Sequence, residues 1–209
     1  MKSIKICLAL TGLLVLPLAA FAVDSWKRDP SLIKNLASET QIKRTAQTTG
    51  YAFRLPEGYS EAAPPPEIVA QRQNGFDNHV YGLTRRSDGT AATLALSVAT
   101  PPPGMVGTLT LTDALEGTLA QKKHQWRFFT ECAAQSGLID GLSFKRVYFK
   151  GLVSGAAGSR MAHGFAYVAI DGSNIVSFQA EDAEPYNEQS LPLTQAAVLT
   201  FRRTIAQGG

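Results

Sequence analysis

The most constraining feature of the sequence is a run of three strand-like segments at residues 142–150, 159–170 and 174–180. The first segment is rich in aromatic and β-branched residues, which favour strands. The second alternates large side chains with small ones, which is typical of a strand that packs helices on its small-residue face. Asp171-Gly172 separates the last two segments and indicates a tight hairpin, because glycine accepts a positive φ. These features predict an antiparallel meander.

Two further elements are predicted in this part of the chain. Residues 151–158 contain three glycines and are typical of a turn. Apolar and small residues recur at helical spacing between Leu193 and Phe201, which predicts a closing helix. Arg202 and Arg203 are expected in the last turn of this helix, where positive charge complements the helix dipole.

Strands are also predicted before the meander. Residues 51–55 alternate aromatic with small or polar side chains and precede a proline turn, which indicates a strand. Residues 79–86 and 90–100 flank Ser87-Asp88-Gly89, which is another hairpin signal. Asp29-Pro30 has the residue types of an N-cap and a first helical position, so a short helix is expected there.

A long helix is predicted from Asp113 to Ser136. Asp113 followed by Glu116 fits the capping-box pattern, and Gly137 is expected to end the helix in a left-handed conformation. The order of elements is then strand, hairpin, long helix, three-strand meander and helix. That order predicts an α+β domain in which helices pack on an antiparallel sheet.

The N-terminus has the features of a secretory signal peptide. Two lysines precede an apolar run, and Ala20-Phe21-Ala22 is a small-residue cleavage site. The apolar run is too short for a spanning helix, and no later stretch is long enough; an uncleaved anchor is the alternative. The sequence therefore predicts a periplasmic or secreted protein with a signal peptide at residues 1–22, an N-terminal extension at residues 23–50 and a single α+β domain at residues 51–209.

Charge and cysteine content exclude some classes of function. The chain has 20 Lys and Arg against 17 Asp and Glu, and loss of the signal peptide leaves a net charge near zero. This balance gives no electrostatic footprint for nucleic acid. Cys132 is then alone, so no internal disulfide is possible. We expect it to be buried on the long helix beside Trp126 and Phe129; the alternative is a reactive thiol or an intermolecular disulfide.

Several stretches carry a family resemblance. Residues Tyr51–Tyr59 combine an aromatic and apolar strand with a Pro-x-Gly-aromatic turn. A hairpin follows at Tyr167–Gly172, a strand at Ile175–Ala180, and the end of the closing helix at Leu199–Arg202. In these features the chain from Tyr51 to Arg203 resembles the Mog1/PsbP-like superfamily, including bacterial relatives of the DcrB type. The resemblance implies an α/β/α sandwich and a small, non-enzymatic protein that binds or chaperones other proteins. It supplies no catalytic residues.

The sequence contains no convergent set of catalytic or metal-ligating residues. His79, His124 and His163 lie on different predicted elements, and none has the spacing of a helical metal site. The nucleophile elbow and the phosphate-binding loop are both absent. No catalytic, cofactor or metal site is therefore predicted. A thiol nucleophile formed by Cys132 with His163 stays open as an alternative.

Basic residues beside two tyrosines form the candidate partner face. We expect a rim of positive charge next to exposed aromatic side chains, which suits an acidic protein partner. The alternative is a solvated surface without a partner. The residues of this predicted face are Lys122, Lys123, Arg127, Lys145, Arg146, Tyr148 and Tyr167.

These observations favour a non-catalytic binding or accessory protein of the bacterial cell envelope that docks a protein partner. A narrower version is an immunity-type inhibitor of an exported toxin. A small hydrolase or thiol enzyme using Cys132 with His163 belongs to a different class. A carrier of a small apolar ligand between sheet and helix is a third possibility, which requires a cavity. The oligomeric state is left open.

Overall fold

The computed structural model describes residues 26–42, 49–64, 66, 69, 75–102, 104–105, 107–155 and 158–205. The predicted signal peptide lies outside these residues. The helices are α1 (Pro30–Ile33), α2 (Leu111–Gln125) and α3 (Asn187–Val198). The strands are β1 (Leu36–Ile42), β2 (Thr49–Pro56), β3 (Ser60–Glu61), β4 (Phe76–Gly82), β5 (Thr93–Ala99), β6 (Arg127–Glu131), β7 (Gln135–Ile139), β8 (Leu142–Gly155), β9 (Gly158–Asp171), β10 (Asn174–Ala183) and β11 (Arg202–Ile205).

Within the described residues, the strands form two antiparallel sheets. The larger sheet has eight strands in the order β3-β4-β5-β10-β9-β8-β6, and β7 also pairs with β8. The smaller sheet has the order β1-β2-β11. The predicted meander is confirmed as β8, β9 and β10, with Gly172 at φ 59° in the second hairpin. The predicted α+β class with an antiparallel sheet and packed helices is confirmed.

The turn predicted at residues 151–158 is wrong for most of its length. Strand β8 continues to Gly155, and β9 begins at Gly158. A glycine is needed at position 151 for close packing and not for a turn, because a Cβ there would lie 3.1 Å from the indole of Trp126. A glycine inside a strand commonly marks such a close approach.

The main core lies between the two sheets and α3. Aromatic side chains from the larger sheet interlock with those of β2 and of the chain after α3. The ring of Phe178 lies 5.4 Å from the ring of Phe53 and 5.6 Å from that of Phe201, measured between centroids. Burial of each such side chain contributes about 1.5–3 kcal/mol to folding. This layer therefore supplies much of the hydrophobic stabilisation.

Helix α2 packs on the opposite face of the larger sheet. Its buried residues Ala114, Leu115 and Leu119 contact a second core that includes Ala166 and Val168 of β9. The prediction that a helix covers the small-residue face of β9 is confirmed. The larger residues of the same strand, such as Phe165, face the main core.

The long helix predicted to end at Ser136 is wrong beyond Gln125. Thr110 is the N-cap and Asp113 the third helical residue, because the Thr110 hydroxyl oxygen accepts from the Asp113 N–H at 3.2 Å. After the helix, the chain forms β6 and β7 along the outer side of β8. Without these strands the edge of β8 would expose a row of unpaired backbone groups.

The closing helix ends earlier than predicted, at Val198. Arg202 and Arg203 therefore lie in β11 and not in a helical turn, and they pair with Ala52 and Tyr51 of β2. The free side of β2 offers backbone donors and acceptors to this segment, and helix dipole stabilisation of about 0.3–1 kcal/mol is too small to compete with strand pairing.

The described part of the N-terminal extension packs on the domain. Asp29 caps α1 as predicted, and its carboxylate accepts from the Ser31 N–H at 2.8 Å. Strand β1 then pairs with β2. No helix in the described residues has the length and apolarity needed to cross a membrane.

Candidate functional site

The predicted partner face is divided between the two faces of the larger sheet. Lys145 reaches α2, where its ammonium group donates to the Thr112 hydroxyl. Its neighbour Arg146 points to the other face, together with Tyr148 and Tyr167. Consecutive strand residues alternate between faces, so Lys145 and Arg146 cannot share one surface.

Arg146 is part of a packed anchor for the N-terminal segment. Its guanidinium lies 4.5 Å from the centre of the Trp26 ring and 5.1 Å from that of Tyr148. It also donates to the Tyr167 hydroxyl at 3.0 Å. Tyr167 is fully buried, so the prediction of an exposed aromatic residue is wrong there. This cluster holds the extension against the core and leaves little surface for docking.

Burial also changes the acid–base behaviour of Tyr167. Loss of hydration raises the pKa of its hydroxyl to about 12, although Arg146 opposes the shift. The hydroxyl accepts a second hydrogen bond from the Gln195 amide at 2.9 Å. The side chain is therefore a neutral structural group at physiological pH.

The remaining predicted residues lie at the end of α2. Lys122 pairs with Glu181 of β10, while Lys123 lies 2.7 Å from Glu116 and 3.0 Å from Glu131. These lysines are thus partly neutralised by acids. Arg127 instead lies over the ring of Phe128, with 5.6 Å between its guanidinium carbon and the ring centroid.

Phe128 is exposed at a strand irregularity that lets Trp126 and Phe129 pack inward on both sides of it. Trp126 and Phe129 both pack on Phe149, with ring centroids 5.4 Å and 5.6 Å from it. Side chains three residues apart on a regular strand point to opposite faces, so both can face inward only across an irregularity. Strand β6 has that irregularity between Arg127 and Thr130, which are opposite Leu152 and Lys150.

The bulge places the backbone of Phe128 in an unfavourable conformation. Its φ is 52°, a left-handed conformation that is uncommon for a bulky residue. Its side chain is 72% exposed, which is unusual for phenylalanine in a folded domain. Backbone strain of this kind is often found at functional positions. We name Lys123, Arg127, Phe128 and Cys132, together with the strand edge between them, the bulge surface.

Cys132 and His163 are not brought together as a catalytic pair. Cys132 is exposed after β6, so its predicted burial is wrong. The reason is that the helix expected to bury it ends at Gln125. His163 lies on β9, with β8 between the two residues, and its Nε2 is 2.6 Å from Glu184.

The other histidines do not form a metal site within the described residues. His79 lies between two carboxylates, with Nδ1 2.7 Å from Glu61 and Nε2 3.1 Å from Asp77. His124 lies in the last turn of α2. Among the described residues, no group of three or more His, Cys, Asp or Glu side chains could hold a metal ion.

A cleft of about 870 Å³ lies beside α2, on the same face of the sheet. Its floor consists of β4, β5 and β10, and one face of α2 forms a wall. Met105 and Leu109 close one end, and Lys122 and Glu181 lie at the other. The volume falls within the range of about 300–1,000 Å³ that is common for ligand sites.

Comparison with known proteins shows a shared fold without close sequence similarity. No family model matches the sequence, and no curated protein matches it significantly. The structure is similar to PsbP from the cyanobacterium Synechocystis, with a TM-score of 0.52 and 19% identity over 79% of this chain and 92% of that chain. It is also similar to LpqN of Mycobacterium tuberculosis, a protein involved in cell envelope biogenesis, with a TM-score of 0.52 and 10% identity over 80% of this chain and 91% of that chain. The fold is the Mog1/PsbP-like fold that the sequence resemblance implied.

Proposed function

We propose that this chain is an exported, non-catalytic binding protein of the cell envelope that docks a protein partner through the bulge surface. The main support is the exposure of Phe128, a large apolar side chain on a strained backbone. Aromatic residues and arginine supply much of the binding energy at protein interfaces. Arg127 lies over the Phe128 ring, so both residue types are presented together.

The position of the bulge surface supports docking. Among the described strands, β6 lies at one edge of the larger sheet, where its outer side is available to a partner strand or loop. The chain from Thr130 to Ser136 is exposed throughout. Arg127 contributes positive charge beside the apolar ring, which favours a partner with acidic residues around an apolar pocket.

Export and the lack of catalysis have separate support. The apolar run and the Ala20-Phe21-Ala22 site are typical of a cleavable signal peptide. LpqN, which shares the fold, is involved in cell envelope biogenesis. The enzyme hypothesis depends on Cys132 and His163. Cys132 follows β6 and His163 lies on β9, and β8 lies between these two strands.

The test replaces Phe128 by glycine, which adopts a positive φ without strain and removes the aromatic ring. The purified protein and its variants would be immobilised, exposed to native envelope extract and compared by quantitative mass spectrometry. We expect the Phe128→Gly variant to keep its thermal stability and to retain roughly tenfold less of one specific partner, since a central anchor contributes about 2 kcal/mol or more.

The matched control is Tyr186→Ala, which removes an exposed aromatic ring beside Arg86 and away from the bulge surface. This variant should retain the partner within a factor of two. Equal capture by the parent protein and by Phe128→Gly would exclude the bulge surface as the docking site.

A further inference from the structure

The cleft beside α2 exists because the helix covers only part of the sheet. Helix α2 packs on β6, β8 and β9, while β10, β5 and β4 extend beyond it. On β5 the floor residues are half-buried, whereas the alternate residues Leu94, Leu96 and Val98 are fully buried in the main core. The uncovered floor is therefore a shaped surface on a rigid sheet.

Strand register arranges the floor in rows of different chemistry. Phe76, Ala99 and Ile175 are paired across β4, β5 and β10 and form an apolar row. The next row on the same face contains Asn78, Ser97 and Ser177. Rows on one face repeat every two residues, or roughly 6.8 Å, so an occupant that lies along the strands meets an apolar row and then a polar one.

The polar row presents uncharged hydrogen-bonding groups. The Ser97 hydroxyl donates to Asn78 Oδ1 at 2.7 Å. The Asn78 amide nitrogen, which carries two N–H donors, is then suited to donate to an oxygen of an occupant. A carbonyl, ester or ether oxygen meets this requirement.

Charge lies at the ends of the cleft and is already compensated. Lys122 forms an ion pair with Glu181 at one end. At the other end the Asp113 carboxylate accepts from the Thr110 N–H at 3.0 Å. These are the charged residues among the described lining, and together they carry a net negative charge. An anionic occupant would meet repulsion there, whereas an uncharged one would not.

Gly117 gives independent support for an occupant. It lies inside α2 on the wall of the cleft, and a Cβ at this position would have no atom within 4 Å. Glycine inside a helix costs roughly 0.5–1 kcal/mol relative to alanine. Neither the helical backbone nor packing within the described residues requires a glycine here. A bound molecule that approaches the helix backbone closely would require a glycine at this position.

We propose that the cleft binds an elongated, uncharged amphiphile whose apolar chain lies on the Phe76 row and whose carbonyl or ether oxygen accepts from Asn78. Gly117 allows this molecule to contact the wall of α2. The site is separate from the bulge surface and requires neither Phe128 nor a protein partner.

The experiment uses N-phenyl-1-naphthylamine, an uncharged fluorophore that brightens in apolar sites, with the purified protein at pH 8. Competition with 1-monooleoylglycerol and with oleate, both kept below their micellar concentrations, tests the preference for an uncharged head group. We expect monooleoylglycerol to displace the probe at a concentration at least tenfold lower than oleate does.

Two leucine variants on the same helix locate the site. Gly117→Leu fills the cleft with a better helix former, so it should fold and weaken probe binding at least tenfold. Ala120→Leu adds the same side chain at another exposed position of α2 that does not line the cleft, and should leave binding within a factor of two. Phe128→Gly should also bind the probe normally, which separates this proposal from the docking proposal.

Three results would overturn the proposal. They are no binding of the probe by the parent protein, unchanged binding by Gly117→Leu, and equal competition by oleate and monooleoylglycerol. Unchanged binding by Gly117→Leu would show that the probe occupies another surface.

Discussion

The two faces of the larger sheet differ in how completely they are covered. One face is closed by β1, β2, β11 and α3, and its aromatic side chains interlock. The other is covered by α2 over β6, β8 and β9, which leaves a cleft over β4, β5 and β10. The closed face thus stabilises the fold, and the partly covered face leaves a cleft that is available for binding.

Neighbouring residues of β10 illustrate this difference. Asp182 faces the closed side, where it accepts two hydrogen bonds from the Arg86 guanidinium at 2.7 Å and one from the Ser190 hydroxyl at 2.7 Å. Glu181 faces the cleft and pairs with Lys122 at a partly exposed position. The carboxylate of Asp182 therefore belongs to a buried hydrogen-bonded network, and that of Glu181 to a partly exposed ion pair.

The largest expected effect is the loss of Asp182. The Asp182→Ala variant leaves the Arg86 guanidinium without its carboxylate, and breaking a buried pair costs about 3–5 kcal/mol. Urea denaturation would measure the free energy of unfolding. Glu181→Gln is the matched control, and its cost should stay below about 1 kcal/mol. Similar losses for both variants would contradict the difference between the two faces.

Gly137 should be intolerant of a side chain because it lies under Trp26. A Cβ at this position would be 2.3 Å from the indole ring, so Gly137→Ala must displace it. The displaced ring would lose its contacts with Arg146 and Tyr167. We expect a loss of about 1–3 kcal/mol, which is typical of overpacking, measured by the same urea titration. A neutral result would show that the Trp26 anchor contributes nothing to stability.

A glycine-to-alanine substitution on the wall of the cleft should increase stability instead of lowering it. Gly117→Ala places its methyl group in open space and gains helix propensity, so we expect stability to rise by roughly 0.5–1 kcal/mol. Thermal unfolding of this variant beside Gly137→Ala gives a direct comparison of the two faces. A destabilised Gly117→Ala would mean that this wall of the cleft is packed against something in the folded chain.

Stability should also fall at high pH through the buried tyrosine. Because the pKa of Tyr167 is raised to about 12, the unfolded chain loses this proton from about pH 10 while the folded chain retains it. The stabilisation is therefore complete below pH 10 and declines by about 1 kcal/mol by pH 11. Tyr167→Phe should reduce the slope of stability against pH between 10 and 12. An unchanged slope would mean that Tyr167 does not contribute.

Local patterns were sufficient to predict much of the fold. Alternation along β9 and the Asp171-Gly172 turn depend on neighbouring residues, so the meander could be inferred without knowledge of the distant chain. The structure of the segment after Gln125 could not be inferred in this way. Trp126 and Phe129 are three residues apart, and both a helix and a bulged strand place such a pair on one buried side. Pairing with β8, which is distant in sequence, determined the outcome.

The candidate site was less predictable for the same reason. Lys123 lies in a helix as predicted, but Arg127, predicted in the same helix, lies on β6. Phe128 was missed because its exposure follows from the bulge. Composition gave no signal for the cleft, since its floor joins strands β4, β5 and β10. A glycine inside a predicted helix, at position 117, was the available clue.

The most direct test of protein docking is photo-crosslinking in intact cells. A p-benzoylphenylalanine residue would replace Phe128 in one variant and Tyr186, the exposed aromatic residue beside Arg86, in another. We expect one discrete crosslinked protein with the probe at position 128 and none with the probe at position 186. Absence of a crosslinked protein at position 128, or the same products at both positions, would contradict docking through the bulge surface.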